Sequence, residues 1–476
     1  MAYPPDDILF LIIQHLHNDR PKASLRFWDI AYWTEDATWP QEFSDRTKTL
    51  RSLMLTSGHL YSLVRPFFYR NVLVREWSVE KQQHITWTFY QTLNRDPELA
   101  QYIHSAIISC RNFEGYDPGI PVFAGQWEVA HYELPDPNGT TPAELSKLLV
   151  TLFFRCRNMQ SLTLFEFNAW EALELDSTEN NNDLSSIGSG TSPITHLTLT
   201  RCGAKESALA SLLSWPKALK SLHYDANQGA WGMHYGYEYD QDQDQNQTAE
   251  TSDDDEEGGG GGVEDAEWTC AAFVHALQPQ KHSLTELILT REDPAHEGLF
   301  VGPRIDLSDF KALTALRIFE LFLQGVEDPS DAWRGLPPNL ETLEVFYDDI
   351  GSRHARFFYE YAMPELGFSS GDEEESDSDA EREVEIDDQW PGGQWLRALL
   401  EQRKEGKFPD LKTIRVYTPE WEPVLRRGQR RRKETHLCML PETVRDLASE
   451  GGVEVDVWIV KERYRKADDF DAMDIL

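Results

Sequence analysis

The sequence predicts an α/β chain, with a short helical module at the N-terminus followed by parallel strands joined by helices and interrupted by two unfolded acidic insertions. Three observations predict it. An amphipathic pattern of helical period opens the chain. A strand signature Φ-x-x-Φ-x-Φ, with Φ apolar or aromatic, recurs seven times behind it. Two windows, residues 238–267 and 369–389, hold acids with glycine or serine where apolar residues would be needed.

The first helix follows from its entry. Proline fits an opening helical turn, and carboxylates favour its positive end, so Pro4-Pro5-Asp6-Asp7 reads as a start. Ile8, Leu9, Ile12, Ile13 and Leu16 then lie on one broad apolar stripe. A second helical pattern runs from Leu50 through Leu53, Leu55, Leu60, Leu63 and Val64 and is expected to stop at Pro66. Residues 67–74 read as an extended exit. The intervening stretch, residues 18–48, contains Trp28, Trp33 and Trp39 and shows no assignable pattern; it is inserted within a module spanning residues 1–80.

The seven strand signatures are Met159-Leu162-Leu164, Ile194-Leu197-Leu199, Leu219-Leu222-Tyr224, Leu284-Leu287-Leu289, Leu313-Leu316-Ile318, Leu340-Leu343-Val345 and Leu411-Ile414-Val416. Residues 103–108 and Val453-Val455-Val457 are weaker entry and closing strands. Helical periodicity lies between them at residues 145–154, 208–213 and 268–277. Strand and helix in alternation have to stack in parallel with right-handed crossovers. Residues 81–467 are therefore expected to form an irregular leucine-rich-repeat-like solenoid, with the two acidic windows accounting for its longest gaps.

The formal charge is −37. The two windows hold about 24 acids and one base, leaving about −14 elsewhere, so the acidity is local. Such a balance disfavours a general nucleic-acid binder, and a mean hydropathy of −0.53 argues against an integral membrane protein. The five cysteines are scattered, with no C-x-x-C pair, which indicates a reducing compartment and neither a disulfide framework nor a zinc site. The apolar run of residues 8–13 follows two aspartates and is too short for a secretory signal.

The N-terminal residues resemble the F-box proteins, in the form common in filamentous fungi. The resemblance is carried by Pro4-Pro5-Asp6-Asp7-Ile8-Leu9 with Ile12 and Leu16 behind it, by Leu50-x-x-Leu53 with Ser57 and Leu60, and by Pro66-Phe67-Phe68-Tyr69-Arg70. Residues 212–222 and 276–284 look like the repeat region of the same proteins. Two features depart from the family: Tyr3 replaces a leucine before the proline, and residues 18–48 exceed the usual connection by about 25 residues. The resemblance implies a substrate receptor of an SCF-type ubiquitin ligase, active in the cytoplasm or nucleus. Pro5, Ile8, Leu9, Ile12, Leu50, Leu53 and Leu60 would then form the face for the Skp-type adaptor of a cullin-RING ligase, together with its small core. An unidentified protein target would bind behind it.

Other candidate sites are regulatory. Ser369, Ser370, Ser376 and Ser378 each precede an acid by three residues, the pattern acidophilic kinases prefer, and phosphate there would extend an already anionic loop. The basic cluster Arg426, Arg427, Arg430, Arg431, Arg432 and Lys433 fits a nuclear-localisation patch, a partner for the acidic loops, or a solvated turn. No phosphate loop, nucleophile elbow or metal-ligating motif is present, so the expectation is a non-catalytic protein without cofactor or metal, binding neither nucleic acid nor membrane. The alternative is a non-catalytic leucine-rich-repeat scaffold that binds basic proteins through its acidic tracts.

Overall fold

The computed structural model describes residues 6–18, 41–74, 85–109, 147–165, 189–200, 206–225, 269–290, 302–325, 328–347, 384–385, 393–420 and 430–465. Among the described residues three helices come first: α1 (Asp6–Asn18), α2 (Gln41–Thr56) and α3 (Gly58–Phe68). The second predicted helix is thus two. The break falls at Ser57, whose extended backbone lets Oγ accept the Leu60 N–H at 3.2 Å and cap α3. Residues 41–48, unassigned from the sequence, belong to α2. Pro66 does not end α3: the helix continues through Phe68, because the final turn closes around the missing proline N–H with Tyr69 N–H donating to Arg65 O at 3.2 Å. The extended exit therefore begins only at β1 (Asn71–Val74).

Behind the helices the described residues build one 12-stranded sheet. Helices α4 (Ile85–Arg95) and α5 (Leu99–Tyr102) lead to β2 (Ser105–Ser109) and, after a π-helical turn at Thr151–Arg155, to β3 (Ser161–Phe165). Next come β4 (His196–Thr200), α6 (Glu206–Ser214), β5 (Ser221–Asp225), α7 (Cys270–Leu277) and β6 (Glu286–Thr290). Then follow β7 (Ala315–Phe319), α8 (Glu320–Gln324), β8 (Thr342–Phe346), β9 (Val384–Glu385) and α9 (Gly393–Lys404), and finally β10 (Thr413–Glu420), β11 (Arg430–Met439), α10 (Glu442–Gly451) and β12 (Glu454–Arg465). In all seven signatures the second and third apolar positions fall on a strand and the first lies at its entry.

Register follows from burial. Leu162, Leu197, Leu222, Leu287, Leu316, Leu343 and Ile414 stand opposite one another across successive parallel pairs. A second row runs from Leu164 through Leu199, Tyr224, Leu289, Ile318 and Val345 to Val416. The first-position residues Met159, Ile194, Leu219, Leu284, Leu313, Leu340 and Leu411 are buried with them. Full burial of each such side chain contributes about 1.5–3 kcal/mol, so these rows form the main core. Strand entries share one device, in which a carbonyl accepts two N–H groups from the next strand. Thr285 O, for example, takes Thr314 N–H at 2.9 Å and Ala315 N–H at 3.0 Å.

The expectation of a leucine-rich-repeat solenoid is corrected by this architecture: the fold is an open, mostly parallel α/β sheet. Its connections are not copies of one unit, being α-helical in α6, π-helical at Thr151–Arg155 and 3₁₀ at Pro329–Gly335. Its far end also leaves chain order, running β8-β10-β12-β11-β9, with β11 antiparallel to β12. Arg430 to Lys433 are strand, so the solvated-turn reading fails for them. Residues 238–267 lie outside the described residues, as do residues 369–389 apart from β9, which pairs with Cys438 and Met439 of β11.

Two side-chain devices hold the irregular connections. Buried Gln280 accepts Leu219 N–H at 2.9 Å and donates to Leu213 O at 2.8 Å and Pro216 O at 2.9 Å, tying α7 to the approach of β5. Gly325 follows α8 at φ 61°, where a Cβ would lie 2.4 Å from Arg304 N, so only glycine closes that turn. Replacing Gln280 by Ala leaves three buried backbone groups without this partner. The expected loss is about 2–4 kcal/mol in chemical denaturation, and a loss below about 0.5 kcal/mol would show that the clamp contributes nothing beyond a surface substitution.

Candidate docking surface

The apolar run opening the chain is divided between core and surface. Ile13 is buried with Leu50, Val64 and Phe67, and Leu53, Met54, Leu63 and Phe68 pack partly against them. This cluster is separate from the core of the sheet. On α1, Phe10 meets the Phe67 ring edge-on at 5.1 Å, and Leu11, well round the helix from Ile13, is 62% exposed. Ile8, Phe10 and Leu11 on α1, Leu55 on α2 at 79% exposure, and Tyr61 on α3 are five of the six exposed large hydrophobic residues among the described residues. The sixth is Leu437.

Of the residues predicted to dock, Ile8 is exposed, Leu9, Leu53 and Leu60 are half-buried, and Leu50 belongs to the small core. Ile12 lies within α1, and Pro5 lies outside the described residues. Phe10, Leu11, Leu55 and Tyr61 were missed. A signal for two of them was present: six consecutive apolar residues on a helix cannot all face one side, and such an exposed run has a use or is a liability.

Polar contacts tie α1 to α3, and α3 to the residues behind it. Asp6 Oδ1 lies 2.8 Å from His59 Nε2, joining the start of α1 to the start of α3. Arg65 on α3 pairs with Asp96, approaches Glu98 at 3.8 Å, and lies about 5.9 and 5.8 Å from the Tyr61 and Tyr102 ring centres. Tyr61 is therefore held from behind by a cation that also grips α5 and its entry. The carbonyl of Arg70 accepts the His104 and Ser105 N–H groups at 2.9 and 3.1 Å, so the helical module runs straight into the first edge of the sheet.

Alternate strand residues form the opposite sheet face. Arg317, Glu344, Arg415 and Asp456 stand in one row of register, alternating in sign. Buried Glu344 receives Arg317 Nε at 3.3 Å and Arg415 Nη1 at 3.5 Å, while Arg415 Nε lies 4.0 Å from Asp456. Burial and Glu454 push the Asp456 carboxyl up, and Arg415 opposes them. Beside this row Phe346 and Tyr417 stack at 4.9 Å, and Phe319 tilts against Phe346 at 6.1 Å. His223 is buried on the same face, 3.3 Å from Thr290 Oγ1, and burial followed by the Arg317 charge lowers its pKa to about 4. Burial pushes the Cys156 and Cys270 thiols up to about 12, which leaves them neutral and poor nucleophiles.

Among the described residues no group of three His, Cys, Asp or Glu side chains is placed to hold a metal ion, and no helix is long and apolar enough to cross a membrane. Ser369, Ser370, Ser376, Ser378, Arg426 and Arg427 lie outside the described residues; Arg430, Arg431, Arg432 and Lys433 lie on β11. No protein-family model matches the chain, and no curated protein matches it.

The His223 imidazole gives a pH prediction with a definite sign. Its folded pKa lies below the ordinary 6.5, so its contribution to stability is complete above pH 6.5 and is lost as pH falls through about 4. Between pH 7 and pH 5 this group alone is expected to remove about 2 kcal/mol. Denaturation of His223→Gln across that range is expected to lack this component; an unchanged pH slope would contradict it.

Proposed function

We propose that the chain is a non-catalytic adaptor whose N-terminal helices dock on a second protein while its sheet selects a target. By resemblance the docking partner is the Skp-type adaptor of a cullin-RING ubiquitin ligase, and the setting is the cytoplasm or nucleus. The observation that carries this reading is the concentration of exposed apolar side chains on α1, α2 and α3, beside a small core of their own. An apolar patch on one module of an otherwise strongly acidic chain costs solubility unless another protein covers it. Helical side chains at such spacing fit a hydrophobic groove.

On this reading Leu50, Val64 and Phe67 shape the module, and Phe10, Leu11, Leu55 and Tyr61 join Ile8 as anchors. Arg65 acts as the joint that sets the docked module against the sheet. The target would approach the face carrying the Arg317–Glu344–Arg415–Asp456 row, and transfer chemistry would belong to the assembled ligase rather than to this chain.

The exposed positions permit a clean test. Leu11→Glu with Leu55→Glu is expected to weaken capture of a Skp-type adaptor by at least roughly thirtyfold, the scale of a 2 kcal/mol interface anchor. Thermal stability is expected to stay within about 0.5 kcal/mol, because both residues face solvent. Equal capture by variant and parent proteins in a quantitative pull-down would refute docking through this face.

A further inference from the structure

The helical module and the sheet have separate apolar cores, and a cluster of polar groups stands between them. Ile13, Leu50, Val64 and Phe67 share no member with the core of the sheet. At the junction Arg65 pairs through Nη2 with Asp96, lies 3.8 Å from Glu98, and sits 5.9 and 5.8 Å from the ring centres of Tyr61 and Tyr102. Its Nε is buried and makes no hydrogen bond among the described residues. The Arg65 side chain is 16% exposed and that of Asp96 40%, so the cation is mostly out of water while its partner is still partly in it.

The groups next to Arg65 lead directly into the sheet. α5 is a single turn, in which Leu99 N–H donates to Asp96 O and Gln101 N–H to Glu98 O, each at 3.1 Å. The His104 and Ser105 N–H groups then reach the Arg70 carbonyl, and His104 O accepts Gln160 N–H at 2.8 Å at the entry of β3. One helical turn has little stability of its own. Amide protection over residues 99–105 therefore depends on how firmly Arg65 holds the two carboxylates.

Tyr61 connects this junction to the docking face, because its ring is one of the exposed groups there and Arg65 lies behind it. A partner that covers Tyr61 removes water from one side of the Arg65–Asp96 pair, and an ion pair strengthens as its surroundings become less polar. Arg65 is mostly desolvated already, so the added desolvation cost is small. We propose that the Arg65 cluster is a docking-sensitive joint: covering Tyr61 tightens Arg65 on Asp96 and fixes the helical module against the first edge of the sheet. This coupling rests on the docking reading and goes beyond it, since the helices could dock without it. Coupling between two equilibria is reciprocal, so loosening the joint weakens docking by the same factor.

The test is hydrogen exchange of the full-length chain, read by mass spectrometry with and without saturating recombinant Skp-type adaptor. Amides of residues 99–105 are expected to exchange about fivefold more slowly in the complex. Asp96→Asn keeps the shape of the side chain and removes its charge. In that variant the same amides are expected to exchange faster without the adaptor and to gain no protection with it, while adaptor affinity falls by about fivefold. Residues 161–165 and 196–200 of β3 and β4 are expected to exchange as in the parent. Adaptor binding that leaves residues 99–105 unchanged in the parent would overturn the coupling while docking stands. Faster exchange in β3 and β4 of the variant would make Asp96 a support of the whole sheet and overturn a local joint. Absence of adaptor binding would overturn the docking reading and the coupling with it.

Discussion

The structure depends on one constraint, that the apolar residues of successive parallel strands stay in step. A slip of one residue in any pairing would turn Leu287 or Leu316 from the core to the other face and bring Ile288 or Arg317 inward. Because the rows hold from β3 to β10, the alternate positions are equally fixed, and that is what sets Arg317, Glu344 and Arg415 side by side. The shared carbonyls at the strand entries reinforce the step, since Thr285 O can accept from both Thr314 and Ala315 only when the strands begin level.

This rigidity gives the two ends of the molecule their separate characters. At the first edge the chain passes from α3 to β1 in two residues, and Arg65 bridges α3 to the entry of α5, so several exposed apolar side chains are carried on helices with a small core of their own. At the other end β12 pairs with β10 on one side and antiparallel with β11 on the other, so the sheet leaves its parallel order there.

Much of the strand set was legible in the sequence because a buried parallel strand imposes its own pattern: Leu219, Leu222 and Tyr224 mark β5 without help from its neighbours. The architecture was not legible from the same pattern. The triplet records a strand and its entry, which an array of identical units and an irregular α/β sheet share, whereas the connections are decided by packing. Gln280, for instance, reaches about sixty residues back to Leu213 and Pro216, a contact no local period encodes. The start of β11 was hidden for the opposite reason, since Arg430 to Lys433 lack apolar alternation and acquire strand geometry from pairing with residues 462–465. For the N-terminal helices the elements were readable, and the run of six apolar residues already required some of them to face outward, but which side chains of α2 and α3 do so was not readable. Leu55 looks like a core residue until the helices are placed against Val64 and Phe67.

Calorimetric titration of the full-length chain with a recombinant Skp-type adaptor over a range of ionic strengths tests the central claim most directly. An interface made by Phe10, Leu11, Leu55 and Tyr61 predicts binding whose affinity barely changes with salt and whose heat-capacity change is negative, the marker of buried apolar surface. Absence of binding, or an affinity that collapses as salt is raised, would contradict it.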